Sequence, residues 1–311
     1  MSWLIVALSA YLLLAVANLL DKFVVDNVLK SAKAYAFAAC ILGLIVLVIA
    51  PWFLKWPGFF LLFLNLFAGF VFAVALWSLY EALKRGEAAR ILVFIGGLTP
   101  VFSIIFSILF FKESFTSNQW LGMTLLLIGA IVIAFLPQSR SYLTRVLNKL
   151  QVNQNIGSGG LWVALLSALA YSSYFIISKY TYADQPFLSA FLWNRLGAGL
   201  FVLIFLIRKT DREKIISLFK KKNPNKNNTL VVFNQILGAS GFMLQNYAIF
   251  LGSVAIVNAL QGFQYAFLLI ISAGLAVLSP KLLKVNFSWK IILQKTLAVI
   301  LIMIGLYFIA T

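Results

Sequence analysis

The chain has 311 residues, of which 63% are hydrophobic and only 11% are charged, and its mean hydropathy is +1.00. Soluble globular domains carry about 25% charged residues, so this composition excludes a soluble protein. The chain has a single cysteine and no histidine, which excludes an intramolecular disulfide and removes the commonest general base and metal ligand.

Ten apolar segments follow one another along the chain, and each is long enough to cross the ~30 Å hydrocarbon core of a bilayer as a helix. The predicted spans are 3–20, 34–54, 58–80, 91–111, 118–136, 161–178, 187–207, 230–250, 254–278 and 291–310. Residues 227–280 carry no charge and are about twice as long as one span, so the chain must fold back within them, near Gly252 and Ser253. No Lys or Arg precedes the first span, so we expect no cleaved signal peptide. The pattern predicts an all-α integral membrane protein with ten transmembrane helices.

The basic residues are concentrated in alternate connections between the predicted spans. The odd-numbered connections carry 21 Lys and Arg residues, whereas the even-numbered ones and both termini carry 3, namely Lys55, Lys112 and Lys179. Cytoplasmic loops are enriched in Lys and Arg, so the odd-numbered connections are predicted to be cytoplasmic and both termini external. The net charge of +17 thus reflects membrane topology, and we expect no nucleic-acid partner. The seventh connection, residues 208–228, is interpreted as a topology determinant or, alternatively, as a segment that touches anionic lipid.

Trp77 near the end of span three and Pro100 near the centre of span four are the first candidate functional residues. Trp77 is interpreted either as a wall of a substrate cavity or as part of an interfacial aromatic belt. Pro100 removes one helical hydrogen bond and bends the helix, and the hydroxyls of Thr99, Ser103 and Ser107 lie near enough to satisfy the freed backbone. We predict a bent gate helix that lines the cavity, with a kink kept for packing as the alternative.

A polar stretch in the fifth connection, residues 151–160, divides the chain into two halves of five spans each, 1–150 and 151–311. The halves are weakly similar, because Gly86, Ala89 and Gly96 align with Gly252, Ala255 and Gly262. An odd number of spans per half gives the halves opposite orientations, as in the inverted repeats of many transporters. Gly96 and Gly262 are assigned to the gate together with Pro100.

Residues 82–135 contain ALKRGEAARI, GGLTPVFSIIFSILFFKESFT and NQWLGMTLLLIGAIVIAF in this order. This order resembles the EamA-like family of the drug/metabolite transporter superfamily, through the small-residue turn at 86–89, Pro100, Lys112-Glu113, and Gly122 with Gly129. The resemblance implies a basket of two inverted five-helix repeats around a central cavity. It also implies transport of small metabolites by alternating access.

The sequence departs from the family pattern at several points. In the second half Ala266 stands at the position of the proline, and Ser279-Pro280-Lys281 replaces the Lys-Glu ending. Members often carry an arginine early in spans two and seven, and here only span seven has one. Many members place both termini in the cytoplasm, opposite to the orientation that the basic residues predict.

Span seven contains Arg195, the only charged residue deep inside a predicted span. A charge within a membrane is costly and is usually functional, so Arg195 is predicted to bind a carboxylate or phosphate of the substrate. The alternatives are that it pairs with helix carbonyls or with Asn194, or that its long side chain extends to the membrane surface.

Amide and aromatic side chains of spans six, eight and nine are the remaining candidates. Asn258, Gln261 and Tyr265 share one helical face through i, i+3 and i+7 spacing, which favours cavity lining over contacts between helices. Tyr171 and Tyr174 share a face of span six in the same way. The predicted substrate-binding residues are Trp77, Thr99, Ser103, Tyr171, Tyr174, Arg195, Asn246, Asn258, Gln261, Gln264 and Tyr265.

The eight acidic residues all lie in connections or at the ends of spans. A proton-coupled carrier usually needs a titratable group inside the membrane, so a facilitator or exchanger is expected. The sequence predicts a plasma-membrane transporter that moves a small polar organic molecule, amino-acid-like or similar, by alternating access, with the cavity inside a monomer. A lipid-linked substrate carrier or flippase component is the alternative. An integral-membrane enzyme is disfavoured because clustered carboxylates and metal-ligand spacings are missing, and no cofactor is expected.

Overall fold

The computed structural model of the protein describes residues 2–24, 31–85, 88–134, 158–219, 227–278 and 289–310. Several features discussed for the sequence lie outside these residues: the division at residue 150, the turn at Gly86, the Ser279-Pro280-Lys281 ending and many basic residues of the odd-numbered connections. All regular structure within the described ranges is helical.

Before residue 135, the helices lie where the apolar segments predict them. They are α1 (Ser2–Val24), α2 (Ala32–Gly43), α3 (Ala50–Phe53), α4 (Phe59–Arg85), α5 (Ala88–Phe111) and α6 (Ser117–Ala134). A 3₁₀ segment, Leu44–Ile49, joins α2 to α3, so the second predicted span is helical from end to end but of mixed type. Pro100 lies inside α5, as the sequence predicts.

After residue 158, the helices are α7 (Ser158–Asp184), α8 (Phe187–Val202), α9 (Lys209–Phe219), α10 (Asn227–Leu251), α11 (Val254–Ala259), α12 (Gln261–Leu278) and α13 (Trp289–Ala310). Two features were not predicted from the sequence. One is α9, a helix within the seventh connection. The other is the interruption at Leu260, where the Phe263 N–H donates to the Leu260 carbonyl at 2.9 Å, an i to i+3 bond that tightens the chain between α11 and α12.

The surface of the helical bundle is apolar over large areas. Within the described ranges, five helical segments are long and apolar enough to cross a membrane: Ala32–Phe53, Phe59–Arg85, Phe94–Phe111, Gly160–Asp184 and Phe187–Leu206. Large side chains such as Phe59, Trp52 and Ile207 are 82%, 74% and 80% exposed. Soluble monomers rarely expose contiguous apolar surface on this scale, so the protein is a multi-pass membrane protein.

The helices pack closely where glycines remove side chains from the contact. α4 packs against α7 and α8, α1 against α10 and α12, and α6 against α13. At the α4–α8 crossing, a Cβ on Gly69 would lie 2.1 Å from the Asn194 carbonyl oxygen, and one on Gly197 would lie 2.4 Å from the Leu66 carbonyl oxygen. Small residues permit such close backbone approach between membrane helices, so these glycines fix the crossing of α4 and α8.

Polar contacts connect helices at both ends of the bundle. At one end the Lys55 backbone contacts α8, through the Ser189 hydroxyl at 3.0 Å and the Trp193 indole N–H at 3.0 Å. At the opposite end of α2, Lys33 Nζ lies 2.6 Å from Asp211 Oδ2 of α9. The first contact joins residues of connection two to the start of α8, and the second joins connections one and seven.

Candidate functional site

A chain of buried polar side chains runs from α8 through α7 to α10. Arg195 of α8 is 8% exposed, and its Nη2 donates to the Tyr174 hydroxyl at 2.9 Å. The Tyr174 hydroxyl donates to Asn246 Oδ1 at 2.9 Å, and Tyr182 donates to the same oxygen at 3.0 Å. Asn246 Nδ2 donates in turn to the Phe242 carbonyl at 2.9 Å. We call these side chains, Arg195, Tyr174, Asn246 and Tyr182, the arginine network.

Aromatic rings surround the Arg195 guanidinium. Its Cζ lies 4.1 Å from the ring centroid of Phe72, 4.8 Å from those of Phe191 and Phe242, and 5.8 Å from that of Tyr174. A desolvated cation over an aromatic face gains about 2 kcal/mol. Burying an unpaired ion costs several kcal/mol even after relaxation, so the rings offset part of that cost and leave the guanidinium in a defined position.

Arg195 has no carboxylate partner among the residues that the structure describes. The ion pairs there are Lys33–Asp211 and Arg85–Glu81, both away from the arginine network. Arg195 Nε is buried and has no hydrogen-bond acceptor in the described part of the chain. The neighbouring Asn194 donates to Ser178 Oγ at 3.1 Å instead. Because Arg195 is almost completely buried, its charge lies in the interior of the bundle and not at the membrane surface.

A second polar cluster surrounds Pro100. The carbonyl of Thr99, which immediately precedes the proline, accepts hydrogen bonds from Ser103 Oγ and from Ser172 Oγ of α7, both at 2.8 Å. Thr99 Oγ1 donates to the Ile95 carbonyl at 2.8 Å. Hydroxyls therefore bond to the Ile95 and Thr99 carbonyls, and one of them comes from another helix, whereas Ser107 Oγ has no hydrogen-bond partner in the described part of the chain. The carbonyl that Pro100 frees is that of Gly96, so its satisfaction by these hydroxyls stays a prediction.

The cluster continues from Ser103 to α11 and α10. Asn258 Nδ2 donates to Ser103 Oγ at 2.8 Å, and Gln245 Nε2 donates to Asn258 Oδ1 at 3.2 Å. Tyr11 of α1 donates to the Val257 carbonyl at 2.6 Å, close to the interruption at Leu260. The proline-containing helix α5 and the interrupted pair α11–α12 are thus joined through buried amides and hydroxyls, whereas the bend of α5 stays a prediction.

The two glycines assigned to the gate have different neighbours. A Cβ on Gly96 would lie 1.9 Å from Tyr265 Oη and 3.4 Å from Gln261 Nε2, so both side chains lie against the backbone of α5. A Cβ on Gly262 would lie 3.1 Å from the Leu126 carbonyl oxygen, so Gly262 packs against α6. Gly96 is therefore a contact point for two of the predicted binding residues.

The predicted binding residues fall into several places. Arg195, Tyr174 and Asn246 form one network, Thr99, Ser103 and Asn258 form another, and Gln261 and Tyr265 meet at Gly96. Tyr171 contacts Phe72, the ring nearest Arg195, with centroids 6.2 Å apart, and Gln264 is buried on α12.

Trp77 lies elsewhere, at the end of the bundle that carries Lys33. Its ring centroid lies 6.0 Å from Lys33 Nζ and 5.9 Å from the ring centroid of Phe205. Sequence reasoning missed Phe72, Phe191, Phe242 and Tyr182. Nothing in the sequence distinguishes three phenylalanines among 29, whereas the hydroxyl of Tyr182 at the end of an apolar helix is a polar signal that could have identified it.

A third polar group ties three helices at the end of the bundle opposite Lys33. Lys179 Nζ donates to the carbonyls of Ile249, Phe250 and Gly252 at 2.9, 3.0 and 2.8 Å, at the C-terminus of α10. Ser253 Oγ donates to Glu113 Oε2 at 2.6 Å and also caps α11. We call this group, Lys179, Glu113, Ser253 and the α10 carbonyls, the end latch.

Comparison with known proteins agrees with a membrane transporter. The model of the EamA-like transporter family matches residues 1–135 and 158–311. An uncharacterized transporter of Bacillus subtilis (strain 168), YdfC, is 31% identical over 150 residues, which are 47% of this chain and 42% of that protein. A solved crystal structure superimposes with a TM-score of 0.67 and 15% sequence identity over 99% of this chain and 96% of its own, a likeness of fold alone. With matches over most of its length, this chain belongs to the EamA-like transporter family.

Proposed function

We propose that the protein carries a small polar organic molecule, amino-acid-like or similar, across the plasma membrane by alternating access. The observation that carries this proposal is the arginine network, a set of buried hydrogen-bonding groups inside an apolar bundle. Polar groups are costly inside a membrane protein and are retained where a substrate uses them. Membership of the transporter family supports the class of activity, and the network supports a polar solute because it offers buried hydrogen-bonding groups.

We infer that the carrier consists of ten spans in two inverted repeats, with the division near residue 150. The family model matches two successive stretches of the chain, which supports the division. The helix packing also supports it: α4 packs on α7 as α10 packs on α1, and α5 packs on α7 as α12 packs on α1. In the proposed repeat, the counterparts of α1, α2, α4, α5 and α6 are α7, α8, α10, α11–α12 and α13. Replacing each helix by its counterpart converts one contact of each pair into the other, and the α6–α13 contact is converted into itself.

One pair of counterpart contacts is unequal, and this supports alternating access. α4 packs closely on α8, whereas the counterpart helices α10 and α2 barely touch. In an inverted-repeat carrier, the two access states differ in which of two counterpart contacts is closed. The closed α4–α8 crossing at Gly69 and Gly197 and the open α10–α2 side fit one of these two states.

The polar end contacts support alternate crossing of the membrane. The end latch joins connections four and eight to the end of α7, and the Lys33–Asp211 pair joins connections one and seven. These contacts agree with the alternation of the basic residues, which supports an orientation with the odd-numbered connections in the cytoplasm and both termini outside. A cysteine added after Thr311 in a Cys40→Ala background should react with an impermeant maleimide in intact cells. Reaction only after permeabilisation would reverse the orientation.

The first experiment is a thermal-unfolding screen of the purified protein in detergent against amino acids, nucleosides, sugars, polyamines and organic acids. A ligand at 100 times its Kd adds about 2.7 kcal/mol to the stability of the folded state, which is a measurable shift of the unfolding temperature. A hit should be transported by proteoliposomes, without stimulation by a pH gradient, and be lost in Gln261→Ala. A folded protein that no soluble metabolite stabilises would contradict the proposal and favour a lipid-linked substrate.

A further inference from the structure

We propose that the transported molecule is an organic anion, whose carboxylate or phosphate group pairs with Arg195. This inference rests on the transporter function proposed for the chain and narrows its substrate class. It follows from three properties of the arginine network: its charge, the direction of its hydrogen bonds, and the rings around it.

The arginine network carries one positive charge that no described acidic side chain neutralises. The described ion pairs lie elsewhere, and the position that could supply a carboxylate within the network is occupied by Asn246, a neutral amide. An amide keeps the hydrogen bonds that an aspartate would make but leaves the positive charge in place. A negative charge brought by a solute would remove this imbalance, because opposite charges attract strongly where water is excluded.

The direction of the hydrogen bonds shows that the network lacks acceptors. Asn246 Oδ1 accepts from Tyr174 and from Tyr182, so the Tyr174 proton is already committed and its oxygen accepts from Arg195. Arg195 Nε, buried to more than nine-tenths with the rest of the side chain, has no acceptor in the described part of the chain. An oxyanion provides acceptor oxygens in the planar geometry that a guanidinium prefers.

The rings around Arg195 favour an anion with an organic body. The rings of Phe72, Phe191 and Phe242 lie over or beside the guanidinium at 4.1 to 4.8 Å, and Tyr171 packs on Phe72. A small inorganic anion would lose its hydration in such surroundings without gaining apolar contacts. A cationic solute would be repelled by Arg195, which already occupies the ring faces that could stabilise a cation. An apolar or aromatic skeleton with one anionic group satisfies both the rings and the charge.

Matched sets of solutes test the substrate class directly on the wild-type protein. One set consists of phenylpropionate, phenylpropanamide and phenylpropylamine, which share a skeleton and differ in charge. Further sets are butyrate with butyramide and butylamine, a hexose phosphate with the free hexose, and phosphatidic acid with diacylglycerol. We expect the anionic member of at least one set to raise the unfolding temperature, and its neutral and cationic relatives to bind at least about tenfold more weakly.

Asn246→Asp tests the role of the network without removing Arg195. The aspartate keeps an acceptor for Tyr174 and Tyr182 and adds a negative charge two hydrogen bonds away from the guanidinium. The aspartate also loses the Asn246 Nδ2 bond to the Phe242 carbonyl, so we expect a lower unfolding temperature without ligand. In the folded variant, the affinity for the anion should fall at least about tenfold. Asn118→Asp is the matched control, since Asn118 is exposed at the start of α6 and the same change there should leave the affinity unaltered.

The outcomes separate this inference from the proposed function. Preference for a soluble or a lipid anion over its neutral relative supports the inference, and the set that responds identifies the source. Binding and vesicle transport of a neutral or cationic solute, with no anion preferred, overturns the anion but leaves the transporter proposal standing. Absence of any ligand or transport in folded protein overturns both. If an anion binds with equal affinity to the wild type and to folded Asn246→Asp, the proposed role of Arg195 is also overturned. If that variant does not fold, the matched sets of solutes on the wild-type protein decide whether the substrate is an anion.

Discussion

At the scale of single residues, the Tyr174 hydroxyl is the link between the charge of Arg195 and the amide of Asn246. Tyr174→Phe removes that link and leaves Arg195 Nη2 without its acceptor at 2.9 Å. Because an unsatisfied buried donor costs about 1–3 kcal/mol, we expect a lower unfolding temperature together with altered solute affinity. Thermal unfolding and ligand titration in detergent measure the two effects.

Tyr182→Phe is the matched control for this change. Tyr182 donates to the same Asn246 oxygen at 3.0 Å, but among the described residues the guanidinium hydrogen-bonds to Tyr174 and not to Tyr182. We expect a similar loss of stability and a much smaller change of affinity. Equal changes of affinity in the two variants would show that the hydroxyls act only through general packing.

Gly96 provides a second test at the residue scale, because the Tyr265 hydroxyl occupies the space of its missing side chain. Gly96→Ala would place Cβ 1.9 Å from Tyr265 Oη, and overpacking of this kind typically costs about 1–3 kcal/mol. Tyr265→Phe, which removes the clashing oxygen, should restore much of the lost stability in the double variant. The thermal unfolding of the single and double variants forms a complete cycle.

The neighbouring Gly97 is the control for Gly96. A Cβ there would meet nothing within 4 Å, so Gly97→Ala should gain up to about 1 kcal/mol from the better helix propensity of alanine. If both alanine variants behaved alike, Tyr265 would not lie against Gly96 in the membrane-embedded protein.

At the scale of elements, the end latch holds the C-terminus of α10 to the end of α7. Lys179 places a positive charge on three carbonyls at the negative end of a helix dipole, an arrangement that contributes up to about 2 kcal/mol when it is partly buried. We expect Lys179→Met to open this end of the bundle more often. The single cysteine, Cys40, is 3% exposed, so its alkylation by a maleimide should become faster.

Lys112→Met is the control for the latch, because Lys112 is an exposed lysine at the end of α5 and next to Glu113. It removes the same charge without touching α10, so Cys40 should react at the wild-type rate. Equal rates in both variants would make the latch a purely stabilising contact with no part in opening.

The same elements show why sequence reasoning succeeds in some places and fails in others. Pro100 and Arg195 stand out because each conflicts with an apolar helix, and such conflicts are visible in one dimension. The turn at Leu260 contains no proline, and its glycine, Gly262, is no clear signal because Gly96 and Gly97 lie inside the helix α5. The interruption is accompanied by the tertiary contacts of Val257 and Asn258 with α1, α5 and α10. Such contacts join residues far apart in the chain, so local sequence could not reveal them.

At the scale of the whole molecule, composition and the apolar segments were sufficient to predict a membrane protein, and the order of the motifs was sufficient to predict the family. The aromatic surroundings of Arg195 could not be predicted, since Phe72, Phe191 and Phe242 come from three helices that meet only in the folded bundle. Trp77 was grouped from the sequence with the other candidates but lies beside Lys33 at one end of the bundle. The sequence could not show this, because the position of a residue within a span does not determine which side chains from other helices it contacts.

The contact of α9 with α2 makes the two halves unequal. Lys33 and Asp211 tether α9 to α2, whereas the corresponding second connection, near residues 54–58, has no helix. A tether present in only one half gives the two access states different free energies. In a passive carrier this cannot bias the final distribution of solute, but it can make the half-saturating concentrations for entry and exit differ, because each face then samples its open state with a different population. Such kinetic rectification would let a carrier without an energy source transport faster in one direction when the receiving side contains little solute. Asp211→Asn removes the ion pair, so it should bring the two half-saturating concentrations, measured in proteoliposomes, closer together.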